Sequence, residues 1–219
     1  MIIFGTSTFS KLMKWYVEND TLEKVEAFTV EKEYMTEQEI LGIPVLPFEE
    51  LENTFDKGKI SILNTCGYHN MNDIRKKVFE MCKEKGYKLL SFVHSTAILN
   101  GLQCGEGNII LEKVLFQPYV QIGSCNIFAP DILVGHDSII GDFNYFSSGV
   151  KICGICNIGN QNFVGTSAVL KERLIMQDYN LVGAGTFLNI DLKEFMATAP
   201  AISRIKQLSK ENLDRLINR

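Results

Sequence analysis

The chain has 219 residues, a formal net charge of −4 and a sequence pI near 5.5. That acidic balance argues against nucleic acid or an anionic membrane surface as the main partner. No apolar run reaches membrane-spanning length. Six cysteines and an N-terminus, MIIFGTSTFSK, without a basic leader or a signal-like apolar core are what reduced thiols in a cytoplasmic protein would give.

The first ninety or so residues alternate strand and helix patterns. Met1–Phe4 is a short apolar run ending at Gly5, and Thr6-Ser7-Thr8 leads into a helical pattern over 9–18. Exposed N–H groups at such a helix start favour a phosphate, although GTSTFS holds one glycine where a dinucleotide fingerprint has three. Strands are expected at 25–30 and 59–64, an extended piece at 42–47 and a short helix at 48–54. An amphipathic helix over 70–86 has Ile74, Val78, Phe79 and Cys82 on one face, and a strand follows at 88–93. This order implies a small parallel sheet with its ligand crevice at the strands' carboxyl ends. Gly5, Thr6 and Ser7 should therefore converge with Gly67 and Tyr68.

From Ile98 to Leu188 every sixth residue is apolar, sixteen positions in one unbroken frame. Glycine often follows the apolar position, as at Gly105, Gly123, Gly135, Gly141, Gly159, Gly165 and Gly183. Asn108, Asn126, Asn144, Asn162 and Asn180 recur every 18 residues. A step of six with a super-period of 18 fits a triangular β-solenoid of about five coils, each unit a short strand and a turn. Residues 18 apart then stack at strand spacing, the apolar residue points inward, and glycine or asparagine is expected where φ turns positive. The expected domains are a small α/β domain (1–93), the solenoid (94–190) and a C-terminal segment (191–219) with a helix over 200–219.

Of three histidines, His136 lies at a turn, two residues beyond the inward Val134 and next to Asp137. One coil on from it is Gly154, whose amide should lie about one strand spacing from the imidazole. A base beside a free amide suits acyl transfer: His136 takes a proton, Gly154 N–H holds an oxyanion and Asp137 orients the ring. A surface turn histidine is the plain alternative. His69, at a helix start, and His94, at the domain junction, read as structural or solvent-facing. Cys153 and Cys156 lack the second pair or helix context that a zinc or redox site needs.

The six-residue frame around VGHDSIIGDFNYFSSGVKICGICNIGNQNFVGTSAVL resembles that of the hexapeptide-repeat acyltransferases. With the preceding α/β domain the chain is similar to their NeuD/PglD-type sugar-acyltransferase branch. The resemblance implies a Rossmann-like N-terminal domain followed by a left-handed parallel β-helix, assembled as a homotrimer. It implies a nucleotide-linked amino sugar held through its diphosphate at Gly5, Thr6 and Ser7, with further contacts at Gly67 and Tyr68. It places acetyl-CoA along the solenoid between two subunits, on Gly154, Thr166, Ala184 and Gly185, with no metal. His136 matches the family's base and Asp137 its acidic partner. Some members carry a second, sugar-contacting histidine nine residues later, where this chain has Tyr145. The activity so implied is N-acetylation of a nucleotide-linked 4-amino-4,6-dideoxy sugar in surface-glycan synthesis. The alternatives are O-acetylation of a sugar hydroxyl, for example of a sialic acid, and a non-catalytic nucleotide-sugar-binding scaffold. Phe143, Ile155, Phe163, Tyr179 and Phe187, outside the inward frame, are expected to need cover from a three-fold partner.

Overall fold

The computed structural model describes residues 1–200 together with Gln207 and Lys210. Most of the expected helix over 200–219 lies outside the described residues. The N-terminal sheet has six strands: β1 (Ile2–Phe4), β2 (Ala27–Val30), β3 (Glu39–Ile40), β4 (Ile43–Pro47), β5 (Ser61–Asn64) and β6 (Lys88–Leu89). Their order is β3-β4-β2-β1-β5-β6, all parallel except the β3–β4 hairpin at one edge. β1 lies between β2 and β5, and Ile2 and Ile3 are fully buried, as a strand covered on both faces requires. Helices α1 (Thr8–Asp20), α2 (Leu51–Thr54) and α3 (Asp73–Glu84) connect the strands.

Helix α1 buries Met13, Tyr16 and Val17, while Leu12 and Trp15 face outward. Helix α3 starts three residues later than its sequence pattern suggests, because Asn70, Met71 and Asn72 all adopt left-handed φ. Its buried stripe also departs from expectation. Val78 and Cys82 are buried, but Ile74 is 46% exposed and Arg75 is completely buried in its place.

The pattern at 88–93 divides between two sheets. Lys88–Leu89 pairs with β5, whereas Phe92–Val93 pairs with Ile109–Ile110 and starts a ladder of the solenoid. From there two-residue strands stack in parallel at intervals of 18, forming sheets of five, five and seven strands. Fourteen of the sixteen frame residues, from Ile110 to Leu188, are buried. The other two belong to the end coil. Ile98 bridges Leu115 rather than Phe116, and a slip of one residue turns its side chain outward. Cys104 keeps register with Ile122, but its strand is the last of its sheet, with no coil beyond it. At the far end the repeat shortens: Met176 bridges Leu192, and Leu181–Val182 pairs with Ala197–Thr198.

Glycine plays a different part from the one expected. Positive φ falls three residues after each inward position, on Lys113, Tyr119, Asp131, Asp137, Gln161 and their equivalents. The glycine directly after the inward residue is needed because coils approach closely there. A Cβ on Gly135 would lie 2.4 Å from the Gly154 nitrogen. The asparagine repeat is a buried ladder. The Oδ1 atoms of Asn108, Asn126, Asn144 and Asn162 each accept the backbone N–H of the asparagine one coil on, at 2.8–2.9 Å, and that of Asn180 accepts the Met196 N–H. At Asn126 and Asn144 the Nδ2 also donates to the carbonyls of Gly141 and Gly159.

The N-terminal domain packs on the seven-stranded face. Ile109 and Ile127 point out of the prism yet are buried with Met1, Ile3 and Phe28 in one core. Full burial of side chains this size contributes roughly 1.5–3 kcal/mol each. Tyr16 Oη donates to Glu112 across the same junction. This packing corrects the list of side chains needing outside cover. Phe143 is buried edge-on against Phe79 of α3 at 5.3 Å, and Phe163 stacks on Tyr145. Phe187 is 62% exposed. Among the described residues no helix is long and apolar enough to cross a membrane.

Candidate functional site

Two arrangements stand out, a cleft and a histidine corner. The cleft, about 500 Å³, lies at the carboxyl ends of β1 and β5, where the N-terminal domain meets the solenoid. Gly5, Thr6, Ser7, Gly67, Tyr68 and Tyr145 all line it. Its first wall is the β1–α1 turn. Gly5 has φ of +124°, and a Cβ there would sit 2.6 Å from Ser10 Oγ and 2.8 Å from Thr65 Oγ1. Ser10 and Thr65 are fully buried and hydrogen-bonded to each other at 2.8 Å, so the chain at this turn admits only glycine. Ser7 caps α1 by accepting the Ser10 N–H. The amides of Thr6, Ser7 and Thr8 donate no hydrogen bond among the described residues.

The opposite wall is aromatic. Tyr68, half-exposed, meets Tyr145 edge-on at 5.1 Å and Phe163 at 4.9 Å, and His69 stacks on Tyr68 at 5.4 Å. Burial, then the Tyr68 phenol, raises the pKa of Tyr145. A smaller recess of about 280 Å³ adjoins the cleft through Gly5, Cys66 and Ile74, and Glu31, Tyr34 and Lys77 also line it. Lys77 donates to Glu31 at 2.8 Å.

Beneath the cleft lies Arg75, which the sequence reading did not single out. Its guanidinium donates to five carbonyls: Cys125, Cys66, Gly67, Phe143 and Asn144, at 2.7–3.3 Å. It joins the Cys66–Gly67 turn to two solenoid turns, and no carboxylate pairs with it among the described residues. Burial lowers its pKa to about 10, which leaves it protonated at neutral pH. The available signal was its spacing, since Arg75, Val78 and Cys82 fall on one helical stripe.

The histidine corner stands on another part of the prism. His136 Nδ1 lies 2.7 Å from Asp137 Oδ2, and both side chains are about half exposed. The backbone is held by His136 N–H to Gln117 Oε1 at 2.9 Å and Asp137 N–H to the Pro118 carbonyl at 3.2 Å. The imidazole lies over Gly154: a Cβ on that glycine would be 2.8 Å from Nε2. The carbonyls of His136 and Gly154 accept from Ile155 and Arg173, but the Gly154 N–H has no acceptor among the described residues. A carboxylate on Nδ1 favours the tautomer with the proton there, leaving the Nε2 lone pair on the side of Gly154. That is the geometry of a base beside an anion-holding donor.

Within one chain these parts stay separate. His136 and Gly154 follow the ladder of Phe116, Val134 and Ile152, whereas Thr166, Ala184 and Gly185 follow the ladder of Phe128, Phe146, Val164 and Val182. The two groups therefore occupy different corners, and the cleft is a third location. Thr166, Ala184 and Gly185 are all exposed. His94 takes a structural position, 3.7 Å from Asp20 and packed on Tyr16 and Phe92. Cys156 is buried, donates to the Cys153 and Lys171 carbonyls, and has its thiol pKa raised by burial, so it serves as a rung of its corner.

A scan against models of known protein families finds no match. Solved structures do match. The chain is similar over 92% of its length, and 97% of the other, to the acetyltransferase domain of PglB from Neisseria gonorrhoeae in complex with acetyl coenzyme A, with a TM-score of 0.80 and 22% identity. It is similar over 94% and 96% to a variant of perosamine N-acetyltransferase from Caulobacter crescentus in complex with CoA and GDP-perosamine, with a TM-score of 0.82 and 21% identity. WeeI from Acinetobacter baumannii matches over 90% and 94%, with a TM-score of 0.78 and 20% identity. What these likenesses share with the ladders described above is the fold, a left-handed parallel β-helix.

Proposed function

We propose that the chain is an acetyl-CoA-dependent N-acetyltransferase of the NeuD/PglD type, acting on a nucleotide-linked amino sugar, a 4-amino-4,6-dideoxy sugar by preference. The observation that carries this reading is the His136 imidazole, oriented by Asp137 and set against Gly154 with its unpaired amide. The sugar amine attacks the thioester carbonyl directly. His136 Nε2 takes the proton lost from the attacking nitrogen. The Gly154 N–H holds the oxyanion, which collapses as the C–S bond breaks. The imidazolium then returns its proton to the departing CoA thiolate. Neither a metal nor a covalent enzyme intermediate enters this scheme.

The Rossmann-like N-terminal domain holds the nucleotide sugar in its cleft. The diphosphate lies on the free amides of Thr6–Thr8, where Gly5 lets it approach the turn closely, the nucleoside enters the adjoining recess, and Gly67, Tyr68 and Tyr145 make further contacts to the bound nucleotide sugar. Acetyl-CoA lies between two copies of the chain, with Gly154 of one corner and Thr166, Ala184 and Gly185 of another facing it. The reading includes a homotrimer, in which one chain's His136 would meet its neighbour's cleft; within one chain the two stay apart. The product would supply surface-glycan assembly from the cytoplasm.

The test is turnover of purified protein with acetyl-CoA and paired amino and hydroxy nucleotide sugars. We expect CoA release with the amino compounds. Turnover of the hydroxy compounds alone would replace N-acetylation by O-acetylation. Turnover of neither, with nucleotide sugar still bound, would leave a binding scaffold.

A further inference from the structure

We infer that Arg75 is a positioning residue for the anionic group of the substrate, acting through the Cys66–Gly67 turn. The inference rests on the nucleotide-sugar reading above. None of the residues lining the cleft is a lysine or an arginine. A diphosphate there would meet backbone amides and no exposed cation. Arg75 lies directly behind one wall, fully buried, with five neutral carbonyls as its partners and no counter-charge among the described residues. Burying a cation without a carboxylate is costly, and a hydrophobic side chain would fill a domain junction more cheaply.

What the guanidinium does locally is orient two peptides. Its Nη1 draws the carbonyls of Cys66 and Gly67 toward itself at 3.3 and 2.9 Å. In a trans peptide the N–H points opposite the carbonyl, so the amides of Gly67 and Tyr68 point away from Arg75. Both residues line the cleft, and neither amide has an acceptor among the described residues. Successive free amides of this kind make an anion-binding concavity. They line the same cleft as the free amides at the start of α1. The positive charge of Arg75 is carried to that concavity through the two polarised peptides. Its Nη2 and Nε hold the same turn to the carbonyls of Cys125, Phe143 and Asn144, setting its distance from Tyr145.

Two measurements on the full chain test this. The first follows hydrogen exchange by mass spectrometry as inorganic pyrophosphate, and separately UDP, dTDP and GDP, is added to the unaltered protein. Peptides covering Gly67–Tyr68 should slow together with those covering Thr6–Thr8. The second compares Arg75→Lys and Arg75→Met in steady-state kinetics. The KM for the nucleotide sugar should rise about tenfold in Arg75→Lys and further in Arg75→Met, with kcat and the acetyl-CoA KM within about twofold. Slowing at Thr6–Thr8 without Gly67–Tyr68, or a nucleotide-sugar KM unmoved in Arg75→Lys, would overturn the role of Arg75 and leave the proposed function standing. Silence at every cleft amide, with no turnover of any nucleotide sugar, would instead overturn the reading on which it rests. If both variants fail to fold, the exchange experiment decides alone.

Discussion

His136 Nε2 sits 2.8 Å from the point where Gly154 would carry a Cβ, so the imidazole occupies the space that any side chain at 154 would need. Gly154→Ala should therefore push the ring aside without disturbing the coil. Activity should fall on the order of a hundredfold, as for His136→Ala, with the melting temperature kept. Normal turnover in His136→Ala would remove the base assignment, and normal turnover in Gly154→Ala would remove the geometric one.

Asp137→Asn separates the carboxylate from its place. Asp137 has φ of +56°, a conformation asparagine also tolerates, so the turn should persist. The ring would keep at most a neutral amide oxygen on Nδ1 and lose the carboxylate charge that stabilises the imidazolium, and kcat should fall roughly tenfold, a fraction of what the base itself supplies. A kcat equal to that of the parent would make the Asp137 contact incidental.

Gly135 and Gly67 give an opposed pair. A Cβ on Gly135 would meet the Gly154 nitrogen at 2.4 Å and the Cys153 carbonyl carbon at 2.5 Å, both backbone atoms locked in the ladder. Gly135→Ala should cost about 3 kcal/mol in denaturant unfolding. A Cβ on Gly67 would meet nothing within 4 Å, so Gly67→Ala should stay within about 0.5 kcal/mol. Equal effects would contradict the close-approach reading of the solenoid glycines.

Asn144 stands mid-ladder, accepting from the Asn162 backbone and side-chain amides and donating to Gly159. Asn144→Ala leaves those buried groups unpaired, at about 1–3 kcal/mol for each unsatisfied group. Urea unfolding should show that loss, and a change below the scatter of the measurement would mean that water replaces the amide.

Burial raises the thiol pKa of Cys66, Cys82 and Cys125 to about 12. Folding keeps these thiols protonated where the unfolded chain loses the proton, so their stabilising effect is complete below about pH 8.5, the usual thiol value. It is lost as pH rises toward 12. Unfolding followed between pH 8 and 11 should show stability falling with pH, less steeply in Cys82→Ala. In the native protein a maleimide should label Cys104, which is exposed, and spare Cys82 and Cys125. Native labelling of Cys82 or Cys125 would show those cores open.

The repeat was legible because a solenoid places residues by sequence distance alone. Every coil poses the same packing problem, so the inward frame from Ile110 to Leu188 and the pairing of His136 with Gly154 can be counted off the chain. The clustering of Gly5, Thr6, Ser7, Gly67 and Tyr68 was legible for a related reason: strand-end turns of a parallel sheet fall on one edge. The glycines after the inward positions were visible, but not their purpose, because the approach of neighbouring coils has no one-dimensional trace. Arg75 shares a helical stripe with Val78 and Cys82, but its role does not show in the chain, because the carbonyls of Cys125 and Phe143, some fifty and seventy residues away, gather around it only in the fold.

The amino-acid sequence by itself determined the coil and its period, since six-residue apolar spacing allows one inward face per strand. It also determined the atoms that one coil brings together, His136, Asp137 and Gly154. Only the tertiary structure decided how the N-terminal sheet sits on the prism, with Phe143 and Phe163 beneath it and Tyr145 in its cleft. That docking depends on shape and on a buried guanidinium reaching five carbonyls. Such contacts join residues with no common period, and so they leave no pattern to read along the chain.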